Sequence, residues 1–236
     1  MHQHRDLNRT RERIMTAAQK EFAANGFAGA RTDAIARGAR VNERMIFYCF
    51  QSKEGLYRAV LAKHLSAKAA LIESLPDEDF ASSMVRGFDE CCDDTDSLRM
   101  WQWEALDKSN RKLLAKEERR TFLQSEVARW RRAKANGKLP PDADEEMLLL
   151  VAAALRTFPL ALPQVTSLVT GFDPLDPEFR RKWSACLDWI GQRLLAPNLT
   201  SGDERERKKA DEAAGQHKAR IKTRPQDVDA NQRAEK

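Results

Sequence analysis

Apolar residues recur every three or four positions along most of this 236-residue chain, which is the spacing of one face of an α-helix. Gly26 is predicted to end the first helix, because glycine tolerates a positive φ just after a helix. Phe27 can then fold back onto the last helical turn. This helix is predicted from Thr10 to about Asn25, with an inner stripe of Ile14, Ala17, Ala18 and Phe22.

Two short helices joined by a tight turn are predicted between Thr32 and Lys53. Thr32 and Asn42 are predicted N-caps, each accepting a hydrogen bond from an otherwise unpaired backbone amide. A second helix of this kind fits the major groove of DNA, so the pattern favours a DNA-binding protein. Phe47 is assigned to the inward apolar positions of that helix. Its outward side is then predicted to carry Glu43, Arg44, Met45 and Tyr48.

Helical periodicity continues through the following 140 or so residues. Ser52 is predicted to cap a linking helix, and Asp176-Pro177-Glu178 to begin the final helix. The helices predicted between them run from Phe80 to Cys91, from Leu98 to Leu106, from about Asn110 to Asn136, and from an Asp142 cap to Phe158-Pro159.

The composition supports an all-α fold. The chain has ten glycines and nine prolines, and no run of alternating β-branched residues long enough to predict a sheet. Its longest apolar stretch, Met147 to Leu155, has nine residues, well below the roughly 18 of a membrane span. The first thirteen residues lack the apolar core of a signal peptide, so we expect a cytoplasmic protein with no membrane partner.

The formal net charge of +5 is unevenly distributed. Residues 1–53 contain ten Lys and Arg against five Asp and Glu, residues 54–196 contain 21 against 23, and residues 197–236 contain ten against eight. The positive excess coincides with the two-helix motif, which favours a surface that faces nucleic-acid phosphates. The last forty residues have few large apolar side chains and are expected to form a disordered, charged tail.

Residues 10–61, TRERIMTAAQKEFAANGFAGARTDAIARGARVNERMIFYCFQSKEGLYRAVL, resemble the N-terminal domain of the TetR family of bacterial transcriptional regulators. The resemblance implies an all-α chain with a three-helix helix-turn-helix domain at residues 1–55. It further implies a larger helical ligand-binding and dimerisation domain at residues 56–196, followed by the tail at 197–236. The implied function is that of a homodimeric repressor that binds palindromic double-stranded DNA and is released by a small-molecule effector.

Two positions depart from the usual pattern of the family. Arg40 stands where relatives commonly have glycine in the turn, and a positive φ there would cost arginine on the order of 1 kcal/mol. Phe47 stands where relatives usually have tyrosine, and it lacks the hydroxyl that would bond a phosphate. We expect the neighbouring Tyr48 to supply that hydroxyl.

Arg44 is the predicted main base reader, since it lies near the exposed N-terminus of the recognition helix and can bond guanine bidentately. Glu43 can accept from a cytosine amine or steady Arg44. The predicted phosphate contacts are Arg31, Thr32, Tyr48 and Lys53, with Arg9 and Arg11 also favoured for this role.

An effector pocket is expected between the linking helix and the dimer interface. Its predicted lining is Met84, Phe88, Met100, Trp101, Trp103 and Phe122, and the alternative is that these residues fill a dry core. Such a lining favours an apolar or aromatic ligand. The dimer is expected to use helices at about 143–157 and 177–195, through Leu149, Leu155, Phe179, Trp183 and Ile190.

The sequence predicts neither a cofactor nor a metal site, and no enzyme activity. Its four histidines are scattered, and no glycine-rich phosphate loop or nucleophile–base pair stands out. Cys91 and Cys92 are interpreted as packing residues, with redox sensing left open. Two alternatives to a ligand-released repressor also stay open, namely a helical binding or scaffold protein and a regulator that binds DNA without a ligand.

Overall fold

The computed structural model describes residues 2–76, 78–107 and 113–194. All regular secondary structure within these residues is helical, which confirms the predicted all-α fold. The helices are α1 (His2–Gly29), α2 (Thr32–Ala39), α3 (Glu43–Phe50), α4 (Lys53–Ser74), α5 (Phe80–Asp93), α6 (Thr95–Leu106), α7 (Lys116–Ala135), α8 (Glu145–Ala161), α9 (Pro163–Thr170) and α10 (Pro177–Leu194).

Two hydrophobic cores organise these helices. The first is built mainly by α1 to α4, and its fully buried side chains include Ile14 and Phe22. It extends through Leu65 of α4 and includes Met100 of α6, so the domain division at residues 55 and 56 stays a prediction. The second core joins α5, α7, α8 and α10 around the fully buried Trp130.

The first helix begins earlier than Thr10, because no glycine or proline precedes that residue to stop it. Thr10 does not cap the helix; its hydroxyl donates to the Asp6 carbonyl at 2.8 Å. Gly26 interrupts α1 with φ 65° and ψ 177°, which confirms the predicted positive φ. Phe27 folds back as predicted, with its ring stacked on Phe22 at 6.2 Å between centroids.

The predicted N-caps Asn42, Ser52 and Asp176 are confirmed, and those at Thr32 and Asp142 are wrong. Asn42 accepts the backbone amide two residues later, and Ser52 the amide three residues later, each at 2.9 Å. Thr32 is the first residue of α2 and makes no cap bond. Asp144, rather than Asp142, caps α8, because its carboxylate reaches two amides of the first turn at 3.0 Å.

The prediction that the eighth helix ends at Phe158-Pro159 is wrong, because the helix continues to Ala161. Proline has no N–H, so the carbonyl of Leu155 loses its partner within the helix. Trp183 of α10 supplies another partner, since its indole N–H donates to the Leu155 carbonyl at 3.3 Å. A neighbouring helix therefore makes the internal proline tolerable.

Other boundaries also differ from the predictions. The helix predicted from about Asn110 begins at Lys116, and residues 108–112 lie outside the described part of the chain. The predicted tail at 197–236 lies outside it as well. Among the described helices, none is by itself long and apolar enough to cross a membrane; α8 and α9 together reach that length but are bent by 80°.

Candidate DNA-binding surface and effector cavity

Arg40 forms the turn between α2 and α3 in a left-handed conformation, with φ 54° and ψ 50°. The positive φ is therefore kept although the residue is arginine, at a cost on the order of 1 kcal/mol. Arg13 of α1 steadies the turn, because its guanidinium donates to the Ala39 carbonyl and, at 3.0 Å, to the Arg40 carbonyl. These bonds tie the start of α3 to α1.

The outward face of α3 carries Arg44, Phe47 and Tyr48. Tyr48 is 72% exposed and Phe47 45% exposed. The expectation that Met45 points outward and Phe47 packs inward is therefore wrong, since Met45 packs against the first core. Residues three and four apart share a helix face, so Arg44, Phe47 and Tyr48 form one strip. The base-reading role of Arg44 stays a prediction.

Glu43 is held by the neighbouring helix. Its carboxylate accepts a hydrogen bond from the Thr32 hydroxyl, which joins the first turns of α2 and α3. Both groups are thus engaged within the chain before any DNA is bound. The geometry favours a positioning role for Glu43 over a contact to cytosine, while the phosphate contact of Thr32 stays a prediction.

Lys53, predicted to meet a phosphate, is engaged inside the protein. Its ammonium donates to the carbonyls of Ala28, at 3.3 Å, and Ala30, and lies 5.0 Å from the centroid of the Phe27 ring. Arg11 likewise donates to a carbonyl at the end of α3. Both cations thus stabilise carbonyl groups at helix ends, so a phosphate must compete with these contacts.

Arg31, just before α2, and Arg37, in its last turn, share one carboxylate. Asp33 accepts from Arg31 at 3.0 Å and from Arg37 at 2.9 Å. The hydrogen bonds from these two arginines lower the pKa of Asp33 to about 2, so the carboxylate is ionised throughout the neutral range. The arginine side chains are 74% and 71% exposed, which leaves both within reach of a phosphate that displaces Asp33.

Asp33→Asn is expected to tighten binding to any duplex, because it releases two exposed arginines from a competing negative charge. The plot of log affinity against log salt should steepen by about one unit for each arginine that reaches a phosphate. Fluorescence anisotropy of a labelled duplex at several salt concentrations measures this slope. Glu117→Gln is the control, since Glu117 pairs with Arg120 on the exposed side of α7. An unchanged slope in Asp33→Asn would show that neither arginine reaches DNA.

A cavity of about 510 Å³ lies among α4, α5, α6, α7 and α8. This volume is within the roughly 300–1,000 Å³ of small-molecule sites. Exposed apolar residues, including Leu123, Met147 and Leu150, mark its opening. Its other apolar wall residues include Leu65, Leu71, Ile72, Leu98, Trp101, Phe122 and Val127.

Only part of the predicted pocket lining lies on this wall. Trp101 and Phe122 line the cavity. The prediction is wrong for the other four residues, which are Met84, Phe88, Met100 and Trp103. The first three are buried in the two cores, and Trp103 faces α1. Periodicity identifies apolar residues but not the side of a helix on which a cavity lies.

Polar groups outside the predicted pocket lining also line the cavity, among them His64, Lys68, Cys91 and Arg156. Burial, aided by Lys68, lowers the pKa of His64, which favours the neutral ring. Burial raises the pKa of the Cys91 thiol and raises that of Cys92 to about 11. Both thiols stay protonated at neutral pH and are poor nucleophiles, which favours the packing interpretation.

The predicted dimer residues divide between core and surface. Leu149 and Phe179 are 9% and 4% exposed and pack in the second core, so their predicted contact with a partner is wrong. Leu155 and Trp183 are half-buried beside that core, and Ile190 is also half-buried. An exposed apolar strip adjoins them, formed by Val151, Ala154 and Phe158 of α8 with Ala185 and Trp189 of α10.

Comparison with known proteins extends these observations. Residues 14–60 match the family of bacterial regulatory proteins named tetR, and residues 79–185 match the tetracyclin repressor-like C-terminal domain. The HTH-type transcriptional repressor SCO4008 of Streptomyces coelicolor is 30% identical over 167 residues, which cover 71% of this chain and 86% of that protein. Both regions of the chain thus have regulatory relatives.

Solved structures share the fold. SCO4942 of Streptomyces coelicolor has a TM-score of 0.63 and 26% identity, covering 78% of this chain and 99% of its own. FadR of Bacillus subtilis, solved in complex with stearoyl-CoA, has a TM-score of 0.55 and 15% identity, covering 75% of this chain and 96% of its own. The two matched regions and the relative SCO4008 show that the chain belongs to the TetR family of bacterial transcriptional regulators.

Proposed function

We propose that this chain is a homodimeric repressor that binds palindromic double-stranded DNA and releases it when a small molecule fills the cavity. The observation that carries the proposal is the exposed strip Arg44, Phe47 and Tyr48, presented by α3 on a turn bonded to α1. A helix with an exposed arginine near its N-terminus suits base recognition in the major groove. The helices around it set its angle to the DNA backbone.

The exposed apolar strip on α8 and α10 supports a homodimer. Phe158 is 49% exposed and Trp189 54% exposed, although both are large and apolar. An apolar surface of this kind on a soluble domain marks an interaction site. Two helices from each subunit form a four-helix bundle, and the resulting two-fold symmetry suits a palindromic DNA site.

The sixth helix offers a route from the cavity to the DNA-binding helices. One side of α6 places Trp101 on the cavity wall. The other side contacts α1, where Arg99 and Trp103 each donate to the Ala23 carbonyl at 3.1 Å. Trp103 also lies against Gly26, where an added Cβ would be 3.0 Å from the indole. A ligand that shifts α6 therefore shifts the end of α1.

Release requires a ligand that prefers one of two conformations, since equal affinity for both shifts nothing. The apolar wall with Trp101 and Phe122 suits an apolar or aromatic molecule. FadR of Bacillus subtilis, a protein of the same fold, was solved with stearoyl-CoA, which supports a small-molecule effector.

Trp103→Phe is expected to weaken release without weakening ligand binding, because it removes the bond to Ala23 and lies off the cavity wall. The free energy that couples a ligand site to a second binding site is commonly about 1–3 kcal/mol. We expect the variant to lose part of the coupling between ligand binding and DNA binding. Operator affinity with and without ligand, together with the ligand dissociation constant, measures the coupling. Trp101→Phe is the matched control and should change ligand affinity first. Unchanged coupling in Trp103→Phe would exclude this route.

Selection of bound sequences from random duplex DNA tests the DNA-binding function. We expect the purified full chain to enrich a palindrome whose half-sites are one helical turn apart or a multiple of it. Enrichment of no sequence would reject a regulator and favour a helical binding or scaffold protein. A palindrome that no cavity ligand releases would instead favour a regulator that acts without an effector.

A further inference from the structure

Arg156 brings a positive charge into the cavity wall without a carboxylate of the described residues in direct contact with it. It lies on α8, is 9% exposed, and donates through Nε to the Ala152 carbonyl at 3.1 Å. Within the described part of the chain, it forms no salt bridge with a carboxylate at 4.0 Å or less. Burial lowers the pKa of Arg156, but an arginine stays charged in a protein. A buried cation without a counter-ion is unfavourable, so its position calls for a partner.

The acidic side chains on the cavity wall are bonded to other groups. Glu126 accepts from Arg129 at 3.2 Å, Glu90 accepts from Arg86, Asp94 accepts the Ser97 amide at 3.3 Å, and Glu146 at the opening faces Arg131 at 3.7 Å. Each of these acids thus has a partner other than Arg156. Glu126 still favours the charged form of Arg156 from a distance, but no carboxylate of the described wall residues lies within 4.0 Å of the guanidinium.

Lys68 of α4 is a second cation on the same wall. It forms no hydrogen bond or ion pair with the residues that the structure describes. Lys68 and Arg156 both oppose the effect of burial on the pKa of Cys91, whereas Glu90 and Asp94 reinforce it, so charges of both signs lie near that thiol. Glu90 is paired with Arg86, whereas Lys68 and Arg156 are in no ion pair with the described residues, so these two cations are the part of the wall that suits a negative group.

Gly87 of α5 provides the space for Arg156. A Cβ at this position would lie 2.3 Å from both Cδ and Nη1 of Arg156. Glycine in the middle of a helix is destabilising, so this close approach gives a physical reason for its presence. The guanidinium is thereby seated against α5 and on the cavity wall.

We propose that the cavity binds an amphipathic organic anion, whose carboxylate pairs with Arg156, assisted by Lys68, and whose apolar body lies along Trp101 and Phe122. The inference rests on the proposed function only in taking this cavity as the effector site. A planar guanidinium bonds a carboxylate with two parallel hydrogen bonds, which gives orientation as well as affinity. The wall has apolar surface for a ring or chain, and the anion supplies a carboxylate in direct contact with the guanidinium.

Three isosteric probes test the charge preference, namely 2-naphthoate, 2-naphthamide and 2-naphthylmethylammonium. Their dissociation constants for the full chain are measured by calorimetry at pH 7. We expect the carboxylate to bind about ten- to a hundred-fold more tightly than the amide, as for hydrogen bonds between charged groups. The ammonium should bind more weakly than the amide. Equal affinity for carboxylate and amide, or no binding of the carboxylate, would overturn the proposal.

Arg156→Gln should reduce the preference for the carboxylate over the amide to within about three-fold while the amide still binds. Gly87→Ala is a second variant that keeps the arginine but displaces it, and it should weaken carboxylate binding selectively. Arg120→Gln, at an exposed arginine on α7 outside the cavity, is the charge-matched control and should keep the full preference. A full preference in Arg156→Gln would exclude Arg156 as the partner of the anion.

Duplex binding by the same proteins is measured separately, so that the two hypotheses can fail independently. If the protein shows no preference for the carboxylate over the amide but still selects a palindrome, only the anion site is rejected. A protein that binds the carboxylate through Arg156 but selects no duplex sequence rejects the proposed repressor and leaves the anion site standing.

Discussion

Val151→Glu is expected to convert the protein to monomers and to lower operator affinity by about a thousand-fold or more. Val151 is 42% exposed on the apolar strip of α8 and does not line the cavity. In a two-fold dimer, a carboxylate at position 151 faces the same carboxylate of the second subunit. The interface removes both charges from water, which is unfavourable. A monomer reads only half of a palindrome, and specific binding commonly exceeds non-specific binding by a factor of about 10³ or more.

Sedimentation equilibrium gives the mass, and a gel-shift titration gives the operator affinity. Leu113→Glu is the matched control, because Leu113 is 54% exposed and lies just before α7, away from the strip. Circular dichroism should show the same helix content in both variants. A Val151→Glu protein that remains a dimer with normal operator affinity would show that the strip on α8 is not the interface.

Arg44→Ala is expected to lose about 1–3 kcal/mol of discrimination at one base pair in each half-site. Arg44 is exposed on the first turn of α3, and its amide is bonded to the Asn42 cap at 2.9 Å, which fixes the start of the helix. Substitution removes the guanidinium but not the cap. Affinity for the unspecific duplex should fall much less than affinity for the operator.

Competition binding with every single-base variant of the operator measures this loss by position. Arg37→Ala is the control, since this exposed arginine lies on α2 beside Asp33 and is expected to meet only phosphate. It should weaken all sequences by a similar factor. An equally uniform loss in Arg44→Ala would assign Arg44 to the backbone instead of to a base.

Local signals predicted the helix-turn-helix well. Asn42 and Ser52 cap their helices as expected, because a cap bond depends on residues two or three positions apart. Gly26 and Arg40 both have a positive φ; that of Gly26 was predicted from its position at a helix end, and that of Arg40 was suggested by the glycine that relatives commonly have there. Short-range chemistry is sufficient for such features, since the interacting groups are close in the sequence.

Long-range contacts reassigned several of the predicted side chains. Lys53 was expected at a phosphate but bonds the carbonyls of Ala28 and Ala30, and Glu43 bonds the hydroxyl of Thr32. Leu149 was expected at a partner subunit but packs inside its own chain. A sequence pattern gives the polarity of a helix face, but the partner of each group depends on which helices meet it.

Two residues that shape the cavity stand out in the sequence, but the sequence does not show that they are in contact. Arg156 interrupts the apolar run MLLLVAAALRTF, and Gly87 lies in the middle of an amphipathic helix. Only the packing of α8 on α5 brings the arginine against the glycine and onto the cavity wall beside Lys68. The separation of Gly87 and Arg156 along the chain hides a contact that is immediate in space.

The sequence by itself determined the all-α class, the helix-turn-helix with its Asn42 cap, and the resemblance to TetR regulators, because these depend on periodicity and short-range hydrogen bonds. Only the tertiary structure decided which apolar side chains fill the two cores, which line the cavity and which stay exposed on α8 and α10. The physical reason is that an apolar side chain leaves water equally well against any apolar neighbour, so the angles and contacts between helices determine its partner.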